Sequence, residues 1–215
     1  MRIIFEDNDI IVAVKPSGIL SQQDNTGKES MISLLSEHTG SEVFPIHRLD
    51  RDVAGIMVFA KTKQSAAVLS KMVAEHSLIK EYIALIHGTP SQMHGEMRDL
   101  LFKDSTRNKS FVVKKPRKGV KEAILEYSVI SACDDYSTVL IKLHTGRTHQ
   151  IRVQFASRKM PLVGDRKYGA QDEFKNIGLW SYRLTFNHPK STEKLTFSIM
   201  PDNFLQEYIK KQPTM

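Results

Sequence analysis

An α+β domain is the fold the sequence predicts, and three observations predict it. Apolar segments of strand length outnumber helical ones. They do not alternate with helices in the steady order that a doubly wound parallel sheet needs. No internal repeat or low-complexity segment divides the chain further. The 215 residues suffice for one sizeable domain, and 40% hydrophobic with 26% charged residues is a globular rather than a disordered balance.

The elements follow in order. Arg2–Phe5 has a short strand pattern, as does Ile10–Lys15, which closes on Lys15-Pro16-Ser17-Gly18, where proline and glycine end a strand and begin a turn. Glu29–Glu37 is expected as a short helix, with Met31, Ile32, Leu34 and Leu35 as its apolar face. Phe44-Pro45 forces extended backbone ahead of His47, because the residue before proline avoids the helical region. Gly55–Ala60 is a continuous apolar run, as in a buried central strand. Lys63–His76 is expected as a helix, with Ala66, Leu69 and Val73 at helical spacing. Ile79–Ile86 alternates in part and ends near Gly88, as a strand does. Glu122–Ile130 and Ser137–Leu143 form an expected strand pair joined by the polar turn Cys133-Asp134-Asp135. Thr148–Ser157 follows as a helix, and strands near Leu179–Phe186 and Lys194–Ile199 complete the count. The expectation is a single catalytic-sized domain over residues 1–215.

Composition excludes several classes. Cys133 is the only cysteine, so neither an internal disulfide nor a cysteine-based metal cluster can form. Glu6 and Asp7 sit where a signal peptide needs an apolar core, and Ile10–Val14 is too short to span a membrane. A soluble, cytoplasmic protein without a membrane partner is expected. Net charge is +7, unevenly spread: residues 1–60 are net acidic, whereas Lys103–Lys121, with Lys114 and Lys115 near its centre, holds eight basic residues against Asp104 alone. Such density is the footprint of phosphate-backbone binding, although a solvated loop without a partner has the same composition.

Three segments concentrate polar groups beside glycines. In Pro45-Ile46-His47-Arg48-Leu49-Asp50-Arg51-Asp52-Val53-Ala54-Gly55, an aspartate lies between arginines on a loop leading into an apolar strand. Neighbouring positive charge favours its ionised form, which suits a nucleophile or general base, although a plain Arg–Asp pairing has the same pattern. In His144-Thr145-Gly146-Arg147-Thr148-His149-Gln150-Ile151-Arg152, a Thr-Gly turn enters a helix whose free N–H groups attract phosphate. There Ile151 and Phe155 can face the core, leaving His149 and Arg152 on a neighbouring face to line a pocket. His144, His149 and Asp165 match no standard metal-ligand spacing, so no metal is expected. Pro161–Gly169 is a glycine-bracketed turn with a charged centre, and none of the three is a Gly-rich nucleotide cradle.

Together these segments resemble the pseudouridine synthase family of the RluA type, whose signature is HRLD followed by a glycine and an apolar strand. The likeness continues at Lys15-Pro16-Ser17-Gly18, Lys80-Glu81-Tyr82 with Gly88, Thr145–Arg152 and Pro161–Gly169, in the family's order. It implies a mixed, largely antiparallel sheet in two halves with flanking helices, and chemistry without cofactor or metal. It implies that Asp50 is the catalytic aspartate, acting on uridine as nucleophile or base. Tyr82 matches the active-site tyrosine that stacks on the base, and Arg152 the cation that pairs with the aspartate. His47, Arg48, Arg147 and His149, with Lys114 and Lys115, are expected to contact RNA or order its loops. Ribosomal or transfer RNA is the expected partner of a monomer. The family's Thr-Ser pair after the aspartate is replaced by Val53-Ala54, which removes two hydroxyls able to support the loop. No separate N-terminal RNA-binding module is expected, so recognition falls to this domain, with Lys103–Lys121 the segment for it. A catalytically silent RNA-binding protein of the same fold is the alternative. A hydrolase or metalloenzyme using His47, Asp50 and His149 is a more distant one.

Overall fold

The computed structural model describes residues 1–24, 27–133, 135–201 and 205–210. The chain begins with β1 (Arg2–Glu6), β2 (Ile10–Lys15), α1 (Met31–Thr39), β3 (Phe44–Pro45), β4 (Ala54–Ala60) and α2 (Lys63–Ala74). Next come β5 (Ile79–His87), β6 (His94–Asp104), β7 (Lys109–Val113), β8 (Val120–Cys133) and β9 (Tyr136–Leu143). It closes with α3 (Gln150–Ser157), a 3-10 turn at Arg166–Tyr168, β10 (Leu179–Asn187), β11 (Lys194–Ser198) and α4 (Leu205–Lys210). These elements form two compact units: Met1–Lys80 with Trp180–Met200, and Glu81–Leu179 with the chain from Pro201. The class is α+β, as expected, with antiparallel pairing dominant. No helix among the described residues is long and apolar enough to cross a membrane.

In the first unit the sheet order is β1-β2-β4-β10, with β3 added to β4 and β11 to β10. All seven residues of β4 are buried, as its unbroken apolar run demands. β2 runs antiparallel to it, from Ile10 opposite Ala60 to Lys15 opposite Gly55. β10 runs parallel to it, with Ser181 opposite Gly55. Only glycine fits there: its φ is +124°, and a Cβ would lie 2.4 Å from the Ser181 carbonyl oxygen. Ile10, Val12, Ile56, Val58, Leu69, Leu184 and Phe186 fill the core, each such burial contributing about 1.5–3 kcal/mol. The first helix begins later than expected because Ser30 caps it, accepting the Ser33 N–H at 3.1 Å while the Ser33 hydroxyl accepts the Ser30 N–H at 3.0 Å. It runs on to Thr39 and stops at Gly40, which takes the left-handed conformation.

In the second unit the order is β5-β9-β8-β6-β7. Here the structure adds what the sequence pattern does not show, a hairpin of β6 and β7 inside the basic stretch. Asp104 accepts the Arg107 N–H at 3.1 Å to close its turn, and β6 pairs with β8 from His94 opposite Ser128 to Phe102 opposite Val120. The charges of Lys103, Asp104, Arg107 and Lys109 around the turn mask the strand character of the apolar residues Leu100–Phe102 and Phe111–Val113. β8 is longer than expected because a bulge between Val129 and Ser131 lets its pairing with β9 continue to Cys133. Asp134 of the expected turn lies outside the described residues. α3 covers one face of this sheet, with Val153 packed on Leu101, Ala123 and Tyr168.

Candidate active site

In the first unit, Asp50 stands on the loop between β3 and β4, and its carbonyl accepts the Val53 N–H at 3.1 Å, which makes residues 50–53 a tight turn. That loop is fastened from outside. The Lys15 ammonium, fully buried, donates to the carbonyls of Arg51 at 2.8 Å, Pro16 at 2.9 Å and Ile19 at 2.6 Å. The Gly18 N–H also donates to the Arg51 carbonyl, at 2.9 Å. The Ser17 hydroxyl donates to the Asp52 carbonyl at 3.0 Å. Ser21 holds Leu49 twice, its hydroxyl donating to the carbonyl at 2.7 Å and accepting the N–H at 2.9 Å. Burial lowers the Lys15 ammonium to a pKa of about 8, although Asp52 and Asp50 favour its charged form.

His47 is turned inward, where its Nε2 accepts the Val58 N–H at 3.2 Å and ties the motif to β4. Burial, with Lys80 nearby, pushes its pKa down to about 3, so the imidazole is neutral and offers no charge to a phosphate. Arg48 is exposed. Arg51, also exposed, pairs with its neighbour Asp52 at 3.2 Å. Val53 and Ala54 are buried apolar groups, and the loop's polar support comes from Lys15, Ser17 and Ser21. Sequence reasoning singled out Lys15-Pro16-Ser17-Gly18 as a motif without assigning it this task, and it missed Ser21.

In the second unit, Tyr82 is buried on β5 and Arg152 on α3. Asp165, 1% exposed, grips Arg152 in a two-point ion pair, Oδ2 to Nε at 2.7 Å and Oδ1 to Nη2 at 2.8 Å. The Arg152 guanidinium also lies 5.2 Å from the centre of the Tyr168 ring. His149 Nδ1 and the Tyr168 hydroxyl are 2.9 Å apart, and that hydroxyl accepts the Ser110 N–H at 2.9 Å. Residues of the Pro161–Gly169 turn thus engage both side chains, Tyr168 meeting His149 and Asp165 meeting Arg152. His144, His149 and Asp165 engage three different partners, the first of them Glu126 at 2.8 Å.

The approach to α3 is equally fixed. The Thr145 hydroxyl accepts the Ile124 N–H at 2.8 Å and donates to Gln150 Oε1 at 2.8 Å. Gln150 Oε1 also accepts the Arg147 N–H at 3.0 Å, so that donor is committed within the protein. Helix geometry starts at Gln150 rather than Thr148 because His149 takes a left-handed conformation, with φ of 54°. Arg147 Nε donates to the Glu122 carbonyl at 2.8 Å. Lys114 and Lys115 are exposed on the connection between β7 and β8.

The family model described as RNA pseudouridylate synthase matches residues 9–157, a span that includes Asp50, Tyr82 and Arg152. A relative from Borreliella burgdorferi called ribosomal large subunit pseudouridine synthase D is 32% identical over 95% of this chain and 67% of its own length. Another, from Haemophilus ducreyi and called tRNA pseudouridine synthase C, is 29% identical over 94% of this chain and 91% of its own. The solved structure of human RNA pseudouridylate synthase domain containing 4 shares the fold at a TM-score of 0.79, with 19% identity over 97% of this chain and 91% of that one.

Proposed function

The chain belongs to the RNA pseudouridylate synthase family, and from that premise we propose that it converts uridines of ribosomal or transfer RNA to pseudouridine with Asp50 as the reacting carboxylate. The activity is that of an isomerase. The glycosidic carbon–nitrogen bond breaks, the freed uracil turns, and a carbon–carbon bond to the ribose forms. Nothing is gained or lost overall, so no outside oxidant, reductant or group donor is consumed. Asp50 serves as nucleophile or base, Tyr82 as the aromatic surface for the base, and Arg152 as the cation. A base inside a stack must first be flipped out, at a cost of a few kcal/mol recovered through stacking and phosphate contacts. The protein acts as a cytoplasmic monomer.

The observation that carries this reading is the clamp on the Asp50 loop. Lys15, Gly18 and Ser21 together bind the carbonyls of Leu49 and Arg51, on either side of Asp50. A catalytic group has to be held within a fraction of an ångström, and a loop fastened on both flanks does that. The same clamp weighs against the silent alternative, because loop support that Val53-Ala54 cannot give is supplied from Lys15, Ser17 and Ser21. Pseudouridines mapped in total RNA with and without the gene product test the proposal. Loss of one or more sites in ribosomal or transfer RNA is expected. Identical maps, from a protein that still binds RNA, would favour the silent reading.

A further inference from the structure

The basic stretch folds into a three-stranded surface with two unlike faces. On one, Leu101, Ser110 and Ala123 are buried, and α3 lies over Leu101 and Ala123. On the other, register sets Phe102 opposite Phe111 on β7 and opposite Val120 on β8. Residues opposite one another share a face, and Leu100 with Val113 continues it one step along the alternation. All five side chains are only half-buried. Arg117 lies over the ring of Phe102, its guanidinium carbon 4.5 Å from the ring centre. A tight turn holds it there. The Val120 N–H donates to the Arg117 carbonyl at 3.0 Å, and Gly119 supplies a φ of +84°. Lys109 reaches the Phe111 ring at 5.8 Å, and Lys114, Lys115 and Lys118 stand exposed around the same turn.

We propose that Phe102 and Arg117 form a stacking platform for an unpaired base of the substrate RNA, with Lys114, Lys115 and Lys118 on the neighbouring phosphates. This rests on the reading of the protein as an RNA-modifying enzyme and adds a second place where it holds RNA. A guanidinium backed by an aromatic ring is planar, is fixed in orientation, and presents its other face for a base to lie on. The surrounding charge selects the occupant. A net +7 between Lys103 and Lys121 is complementary to phosphate, and half-exposed aromatics among cations suit single-stranded nucleic acid.

The test separates stacking from charge. A short single-stranded RNA and the same strand with one abasic site are titrated against the wild-type protein and the variants Arg117→Lys and Arg117→Ala. Stacking of one base is worth on the order of tenfold in affinity. The wild type should therefore prefer the intact strand about tenfold when the abasic site falls at the platform. Arg117→Lys keeps the charge but should lose that preference, and Arg117→Ala should bind both strands more weakly still. In turnover, the loss in Arg117→Lys should fall in KM. Full preference retained by Arg117→Lys would overturn the proposal, leaving only phosphate attraction. So would an Arg117→Ala variant indistinguishable from wild type. A wild-type protein that bound neither strand would likewise overturn the platform, whereas the underlying RNA reading stands or falls separately on the pseudouridine maps.

Discussion

Lys15 has three carbonyls to satisfy, and its ammonium has three N–H groups to satisfy them with. Lys15→Met would take the ammonium donor from the Pro16 and Ile19 carbonyls and leave the Arg51 carbonyl with the Gly18 N–H, at about 1–3 kcal/mol for each unmatched acceptor that water does not reach. A fall in the denaturant midpoint at unchanged slope is expected, together with a loss of turnover as the Asp50 loop loosens. The same residue gives a pH dependence in which activity and stability part company. Its pKa is about 8 when folded and near 10.5 when free. Between those values the folded chain holds fewer protons than the unfolded one, so this group makes stability rise with pH across the window. The clamp meanwhile weakens, because a neutral amine has only two N–H groups. Activity is thus expected to fall as pH rises through about 8 without a matching fall in melting temperature, as paired pH profiles of kcat/KM and Tm would show. Little of this is legible in the sequence, for Lys15 and Arg51 lie 36 positions apart.

Among the elements, α3 depends most on a contact that periodicity cannot show. Its apolar positions Ile151 and Phe155 are where the helical repeat puts them, and both are buried. Arg152 is buried as well, and what makes that tolerable is Asp165, 13 residues on and outside the helix. Asp165→Ala would take this two-point ion pair away from a buried cation, and breaking such a pair costs about 3–5 kcal/mol. Thermal or chemical denaturation should show that loss, and turnover should fall with it if Arg152 serves the reaction. For β4 the decisive contact is the approach of β10. Gly55→Ala would place its Cβ against the Ser181 backbone at a φ of +124°, and the variant is expected to fold poorly, judged by soluble yield and Tm. The buried run of β4 was plain in the sequence, because a central strand shows itself by unbroken hydrophobicity. The β6–β7 hairpin was hidden, because Lys103, Asp104, Arg107 and Lys109 crowd its turn and give the stretch the composition of a loop.

Across the whole chain, class and chemistry were more legible than the means of support. The resemblance to the family rests on four contiguous residues, His47–Asp50, and the family match spans them together with Tyr82 and Arg152. The Lys15 clamp and the Arg152–Asp165 ion pair join residues 36 and 13 positions apart and appear only on folding. The charge distribution is legible in either form, and it carries a prediction for the molecule as a whole. Replacing Lys114 and Lys115 with alanine should weaken RNA binding across sequences and reduce the slope of log affinity against log salt. Each lost contact to single-stranded phosphate is worth about 0.7 in that slope, which a titration from low to moderate salt resolves. Asp50 itself calls for one comparison, pseudouridine formed in RNA from a strain lacking the gene by wild-type protein and by Asp50→Asn, with RNA affinity measured alongside. The expected result is product with the wild type and none with Asp50→Asn at nearly unchanged affinity. Full turnover by the asparagine variant would contradict the assignment of Asp50 as the reacting carboxylate.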